Sequence, residues 1–291
     1  MISLLVASLL LQAQAGSAHF LIVSGLGGEP DYEQRFNAYG ADLDKIARTL
    51  TDPARVTLLS GKAATRQATQ AALDRIAQTT TPDDALAIFL VGHGTFDSTS
   101  YKFNITGPDP TADDLRAWLD RVPASRQLVV VATSCSGAAI NALQKDNRVV
   151  ITATRSGGER NAVVFARYWV EALRDPAADA DKNESISALE AFRYAEEKVK
   201  RFYSDQKRIA TEHPRLEGKL AGSFVLARLG QAAAAANDPV RRKLLARREA
   251  LETQIDALKF RKSALPGDQY KKELERLLLE LARVQEAIEA K

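Results

Sequence analysis

Residues 83–95 read Asp83-Asp84-Ala85-Leu86-Ala87-Ile88-Phe89-Leu90-Val91-Gly92-His93-Gly94-Thr95. Seven consecutive apolar residues stand between two acids and a glycine. The run is too short for a buried helix and does not alternate, so it reads as a β-strand covered on both faces. Similar runs lie at 19–24, 55–60, 127–133, 148–154 and 222–229. Helix-period stretches near 33–51, 65–79, 111–121, 137–145, 160–174 and 185–206 separate them. Continuous apolar strands alternating with helices predict an α/β fold. It is a mostly parallel six-stranded sheet with helices on both faces and right-handed crossovers.

Ligands of such sheets bind at the carboxyl ends of the strands. The strand pattern brings several chemically notable residues to that edge. His93, one of three histidines, follows the third strand, and Cys135, the single cysteine, follows the fourth. Arg35 lies just past the loop after the first strand, and residues 155–161 follow the fifth.

With 291 residues, the chain can form one large domain and an appendage. A net charge of +3, with signs mixed along the sequence, makes no case for a nucleic-acid partner. Residues 1–18 have an apolar core followed by small residues, though no Lys or Arg near the start, and read as a signal peptide of an exported protein. No apolar segment is long enough to span a membrane. A lone thiol can form neither an internal disulfide nor a multi-cysteine zinc site. Cys135 is therefore either a small buried hydrophobe or a reactive group.

Cys135 stands in Val129-Val130-Val131-Ala132-Thr133-Ser134-Cys135-Ser136-Gly137, where a strand turns into a helix. A helix N-terminus favours the thiolate. His93, on the neighbouring strand end, could converge on it. The unobstructed N–H of Gly94 and the N–H of Cys135 could serve a developing oxyanion. A His-Gly after one hydrophobic strand and a Cys after the next resembles the caspase–hemoglobinase superfamily of cysteine peptidases. The blocks at 91–94, 133–137 and 31–43 are most similar to its legumain-like branch, and the likeness in strand order spans about 19–229. The resemblance implies a caspase-like fold and a cysteine endopeptidase that needs no cofactor for catalysis. Cys135 would be its nucleophile and His93 its general base and acid, with Gly94 and Cys135 N–H groups holding the oxyanion. It also implies that Arg35 helps form the pocket for the residue before the cut, Asn or Asp, which a guanidinium can grip as a fork. Ser156 and Glu159 would line the same pocket. The family often has Asn two residues before that Arg, near the histidine. Glu33 stands there, which leaves open what orients His93.

Other features point elsewhere. Asp179, Asp181, Asn183, Ser185, Ser187 and Glu190 fall at positions one, three, five, seven, nine and twelve of an EF-hand-like loop that could hold a structural calcium ion. Glu184 occupies the sixth position, where such loops have Gly, and a solvated loop capping the next helix is the competing reading. Residues 231–239 read as a linker. Beyond it, Leu244, Leu251, Ile255 and Leu258, then Tyr270, Leu274, Leu277, Leu281, Val284 and Ile288, mark a helical hairpin over 240–291 with coiled-coil spacing, turning at Pro266-Gly267. It either packs on the protein itself or serves self-association. Residues 25–30 lack dinucleotide-loop spacing, and no G-x-S-x-G elbow is present. Two further functions share these residues: a transpeptidase using the same acyl-enzyme, and a non-catalytic scaffold working through the hairpin.

Overall fold

The computed structural model describes residues 17–235 and 238–290. The expected signal peptide therefore lies almost wholly outside the described residues. Its last two residues, however, belong to the fold. The Ser17 N–H donates to Asp84 Oδ1 at 2.8 Å, and Ala18 opens the first strand, ahead of the boundary expected at 19.

In chain order the strands are β1 (Ala18–Ser24), β2 (Val56–Leu59), β3 (Ala85–Val91), β4 (Gly94–Phe96), β5 (Tyr101–Phe103), β6 (Arg126–Ala132), β7 (Arg148–Thr152), β8 (Ser185–Ser187), β9 (Arg215–Glu217) and β10 (Val225–Arg228). The helices are α1 (Pro30–Leu50), α2 (Arg66–Thr79), α3 (Ala112–Leu119), α4 (Ile140–Leu143), α5 (Phe165–Ala172), α6 (Ala188–Asp205), α7 (Gly230–Ala235), α8 (Pro239–Phe260) and α9 (Gly267–Glu289). The central sheet has the order β2-β1-β3-β6-β7-β9. Its first five strands are parallel and β9 is antiparallel.

The strand of the opening stretch explains the two-layer core. Ala85, Ala87, Phe89 and Val91 face α1, α5 and α6, while Leu86, Ile88 and Leu90 face α2 and α3. Every side chain of β3 is buried, which is why its sequence shows no alternation. Burying a Leu or Phe side chain contributes about 1.5–3 kcal/mol, so the central strands fix the register strongly. In that register Val91 pairs with Ala132, and the loops carrying His93 and Cys135 leave the sheet side by side.

One expectation changes. The sixth place in the sheet belongs to β9, not to 222–229. Residues 225–228 instead pair antiparallel with β8 in a separate two-stranded sheet at the start of α6. Within the segment read as a linker, residues up to 235 form the short helix α7. The helical hairpin does form. Leu251, Ile255 and Leu258 of α8 pack on Leu277, Leu274 and Leu281 of α9. It is tied to the sheet domain by Arg228–Glu249 at 2.7 Å and by Arg248, whose Nη2 donates to Ser185 Oγ at 2.7 Å. Leu278 and Leu279 face outward. No helix among the described residues is long and apolar enough to cross a membrane.

Candidate active site

His93 leaves β3 half-buried and leans on the first turns of α1. Its ring meets Tyr32 at 4.8 Å and Phe36 at 5.0 Å between centroids, both edge-on. The Gly27 carbonyl lies near enough to the ring to favour its protonated form. Burial pushes the imidazole pKa below its ordinary value and Arg35 adds to this, while the Gly27 carbonyl and Glu29 oppose it. His93 is thus favoured in its neutral form, the form that can accept a proton. Arg35 is exposed beside it, with its guanidinium 4.4 Å from the Tyr32 ring centroid and its Nε donating to the Asp31 carbonyl at 3.1 Å. Glu33 does not contact the imidazole by a hydrogen bond. Its Oε2 accepts from the Gly27 N–H at 2.8 Å.

Cys135 is only 2% exposed and sits in a left-handed backbone conformation, φ 56° and ψ 5°. For a residue with a Cβ this costs about 1–2 kcal/mol, and neighbouring loops hold it in place. Tyr101 Oη bonds Thr133 Oγ1 at 2.7 Å, and Thr154 Oγ1 accepts from the Gly137 N–H at 2.9 Å. The expected helix N-terminus is a short 3₁₀ turn, Ser136–Ala139, followed by the four residues of α4. It does not win the electrostatic contest. Burial pushes the Cys135 thiol up from its ordinary pKa, against the pull of Arg160 and of the Phe96 N–H that faces the sulfur.

Both expected oxyanion donors are occupied within the chain. The Cys135 N–H donates to the Glu159 carbonyl at 2.9 Å. The Gly94 N–H donates to Ser134 Oγ at 3.2 Å, and the same hydroxyl donates to the Gly94 carbonyl at 3.0 Å. Gly94 is needed for this close approach, because a Cβ there would lie 2.6 Å from the Ser134 carbonyl oxygen. The Glu159 carboxylate points away from this contact. It accepts from the Arg155 N–H at 3.0 Å and meets His213 Nδ1 at 2.6 Å. Ser156 Oγ accepts from the Gly158 N–H at 3.3 Å. The strand ends therefore bring His93, Gly94 and Cys135 together, and Arg35 stands beside His93. His93 and Cys135 share no direct hydrogen bond among the described residues.

Ser134, Glu159 as a backbone acceptor, and His213 emerge only from the structure. Ser134 lies within the cysteine block and could be suspected from it. The Glu159–His213 contact spans 54 residues with no local signal.

The acidic loop before α6 closes on itself. Asp179, Asp181 and Glu190 bring carboxylate oxygens within 4.8 Å of one another, a spacing that could hold a cation. Burial, with Glu190 and Asp179 close by, pushes Asp181 up from its ordinary value. Glu184 takes φ 60° at the position where glycine is usual. The side chains of the other three expected residues, Asn183, Ser185 and Ser187, are turned to different partners. Asn183 Oδ1 accepts from the Ser185 N–H at 2.8 Å, and Ser185 Oγ accepts from Arg248. Glu190 also caps α6 with Ser187.

The Peptidase C13 family model matches residues 31–213, a span that runs from the first turn of α1 to His213. No curated protein matches the chain. Among solved structures, protein GSU0716 from Geobacter sulfurreducens is similar over 74% of this chain and 100% of its own, at 14% identity and a TM-score of 0.48.

Proposed function

Since the chain belongs to the Peptidase C13 family, a family of legumain-type cysteine peptidases, we propose that it is an exported endopeptidase using a Cys135–His93 dyad to cut after Asn or Asp. The observation that carries this reading is the pairing of Val91 with Ala132, which sends the histidine loop and the cysteine loop off adjacent strands. In the proposed reaction the free nitrogen of neutral His93 takes the proton from Cys135 Sγ. The thiolate attacks the scissile carbonyl carbon, and the carbonyl oxygen becomes an oxyanion. The Cys135 and Gly94 N–H groups then turn from Glu159 and Ser134 to that oxygen. Collapse breaks the C–N bond, and the leaving amine takes the proton from His93. Water, deprotonated by His93, hydrolyses the thioester and restores the thiol. Arg35, exposed at the rim, would grip the side chain before the cut.

The test is cleavage of a reporter-peptide library by the purified protein and by Cys135→Ala. Thiol-dependent cutting after Asn or Asp, absent in the variant, supports the proposal. A wild-type protein that cuts nothing, or a Cys135→Ala variant that still cuts, rejects it.

A structural calcium ion at Asp179, Asp181 and Glu190 is a second reading, favoured by the convergence of these three carboxylates. Calorimetry that finds no heat of calcium binding removes it.

A further inference from the structure

The hairpin buries one side of α9 and leaves the other bare. Leu274, Leu277, Leu281, Val284 and Ile288 pack toward α8 and α7. The ties to the sheet domain, Arg228–Glu249 and Arg248–Ser185, run through α8, so α9 is the outer helix. On its far side Lys271, Glu275, Leu278, Ala282 and Glu286 follow one another at steps of four, three, four and four, with Leu279 alongside. Those steps put them on one helical face, and all six are exposed. Leu278 is 47% and Leu279 55% exposed, and among the described residues no other two large exposed apolar side chains adjoin in sequence. Lys271, Leu274, Glu275, Leu278 and Leu279 line a shallow groove there.

The charges decide what fits this face. Lys271, Glu275, Arg283 and Glu286 make no side-chain hydrogen bond or ion pair among the described residues, whereas Glu273, Arg276 and Glu280 beside them are all paired. We propose that the outer face of α9 pairs antiparallel with the same face of a second copy of this chain, with the twofold axis between Leu278 and Leu279. In that register Leu278 meets Leu279 of the second copy, Lys271 meets Glu286, and Glu275 meets Ala282 with Arg283 next to it. Symmetry repeats each contact, so four unpaired charges on each copy find opposite partners. A parallel arrangement would set Lys271, Glu275 and Glu286 each against its own kind. The midpoint that matches the charges is also the midpoint of the apolar pair, and this coincidence carries the proposal. At the outer ends Asp268 meets Glu289, a like pair, but both are exposed to screening by salt and Lys271 lies within one turn of Asp268 on the same face.

One helical face is a small interface, so the dimer should exchange with monomer on dilution. Sedimentation equilibrium of the full chain should show the mass rising from one copy to two with concentration, and salt at about 1 M should weaken the pairing. Leu278→Glu together with Leu279→Glu should leave a monomer at every concentration, with an unchanged near-UV circular dichroism spectrum because neither side chain belongs to the core. Lys271→Glu alone and Glu286→Lys alone should each weaken association about 10- to 100-fold, since both symmetry-related pairs turn repulsive. Mixed in equal amounts, these two charge variants should pair with each other about as tightly as the wild type pairs with itself, because every 271–286 contact between unlike copies then joins opposite charges.

A wild type that stays monomeric at the highest concentration overturns the proposal, and so does a wild-type dimer that survives the leucine changes. If the wild type dimerises but the mixed charge variants stay apart, the antiparallel register is wrong and the proposal goes with it. A monomer that co-sediments with phosphatidylcholine vesicles would assign the face to a lipid surface and overturn it equally. Mass is read without turnover, so the result stands whether or not the protein cuts peptides.

Discussion

The two loops that leave β3 and β6 are neighbours, yet they are held in opposite ways. The His93 loop rests on a 21-residue helix, with apolar contacts to the ring and one carbonyl close to it. The Cys135 loop rests on the irregular segment between β7 and α5, through polar contacts centred on Glu159. The first arrangement is ready for proton transfer: neutral ring, half-buried side chain. The second withholds its chemistry, because the thiol is buried, its pKa is raised, and its N–H is spent on Glu159. The difference teaches that the proposed dyad has a fixed half and an adjustable half. Adjustment costs the exchange of two hydrogen bonds, of Cys135 N–H from Glu159 and of Gly94 N–H from Ser134, each a net change of about 1 kcal/mol, which substrate binding can supply.

The largest effects break the comparison outright. Cys135→Ala should abolish cleavage, whereas His93→Ala should lower kcat by about 10²- to 10⁴-fold, the usual contribution of a general base. Initial rates on one reporter peptide check both. Equal, complete losses would mean that His93 does more than move a proton. Next comes Arg35→Ala. The exposed guanidinium touches neither proposed catalytic group directly, so kcat/KM for Asn or Asp peptides should fall about 10- to 100-fold, mainly through KM. A purely kcat effect would place Arg35 with the fixed half, acting on His93, rather than with the substrate.

Much of the fixed half was legible in the sequence. β3 and β6 are continuous apolar runs because both faces are buried, so their ends and the residues beyond them could be located. The family likeness pointed to the two loops that leave β3 and β6 side by side. What was not legible depends on contacts between distant segments. β9 is an edge strand of three residues, Arg215, Leu216 and Glu217, none of them buried, so it carries no apolar signature. The more apolar 222–229 therefore reads as the sixth strand in its place. The β4–β5 hairpin was missed because three-residue strands carry too little pattern. The helix-terminus expectation for Cys135 failed because α4 is short and burial outweighs its dipole. Which carbonyl occupies the Cys135 N–H is a property of loop 155–160, whose course is set by His213 from far along the chain.

A smaller effect sharpens the contrast. If Glu159 holds the adjustable half through His213, then His213→Ala should loosen loop 155–160 without touching α1. The alkylation rate of Cys135 by iodoacetamide should rise about two- to tenfold, the equivalent of losing one charge-assisted hydrogen bond at a half-exposed site. The nitrogen NMR spectrum of the His93 imidazole should stay as it is in the wild type. A change in both would show that the two halves move together.

The smallest effect concerns stability. Glu212, next to His213, accepts from the Val164 N–H at 2.8 Å, the Phe165 N–H at 3.2 Å and Tyr203 Oη at 3.0 Å, so it ties the segment after loop 155–160 to α6. Burial outweighs these donors and pushes its pKa from the ordinary 4.5 up to about 7, with Glu159 adding to the rise. Between those values the folded protein holds a proton that the unfolded chain has lost. Stability from this group is therefore complete below about pH 4.5 and declines as pH rises to about 7. The decline is at most about 3 kcal/mol. Glu212→Gln should flatten that slope in urea titrations across this range. A shallower decline should persist, because Glu252 on α8 of the hairpin, half-buried, is also pushed up to about 7 by its burial. If the slope of the Gln variant matches that of the wild type, Glu212 does not tune the adjustable half, and its tie to α6 is held equally well in either protonation state.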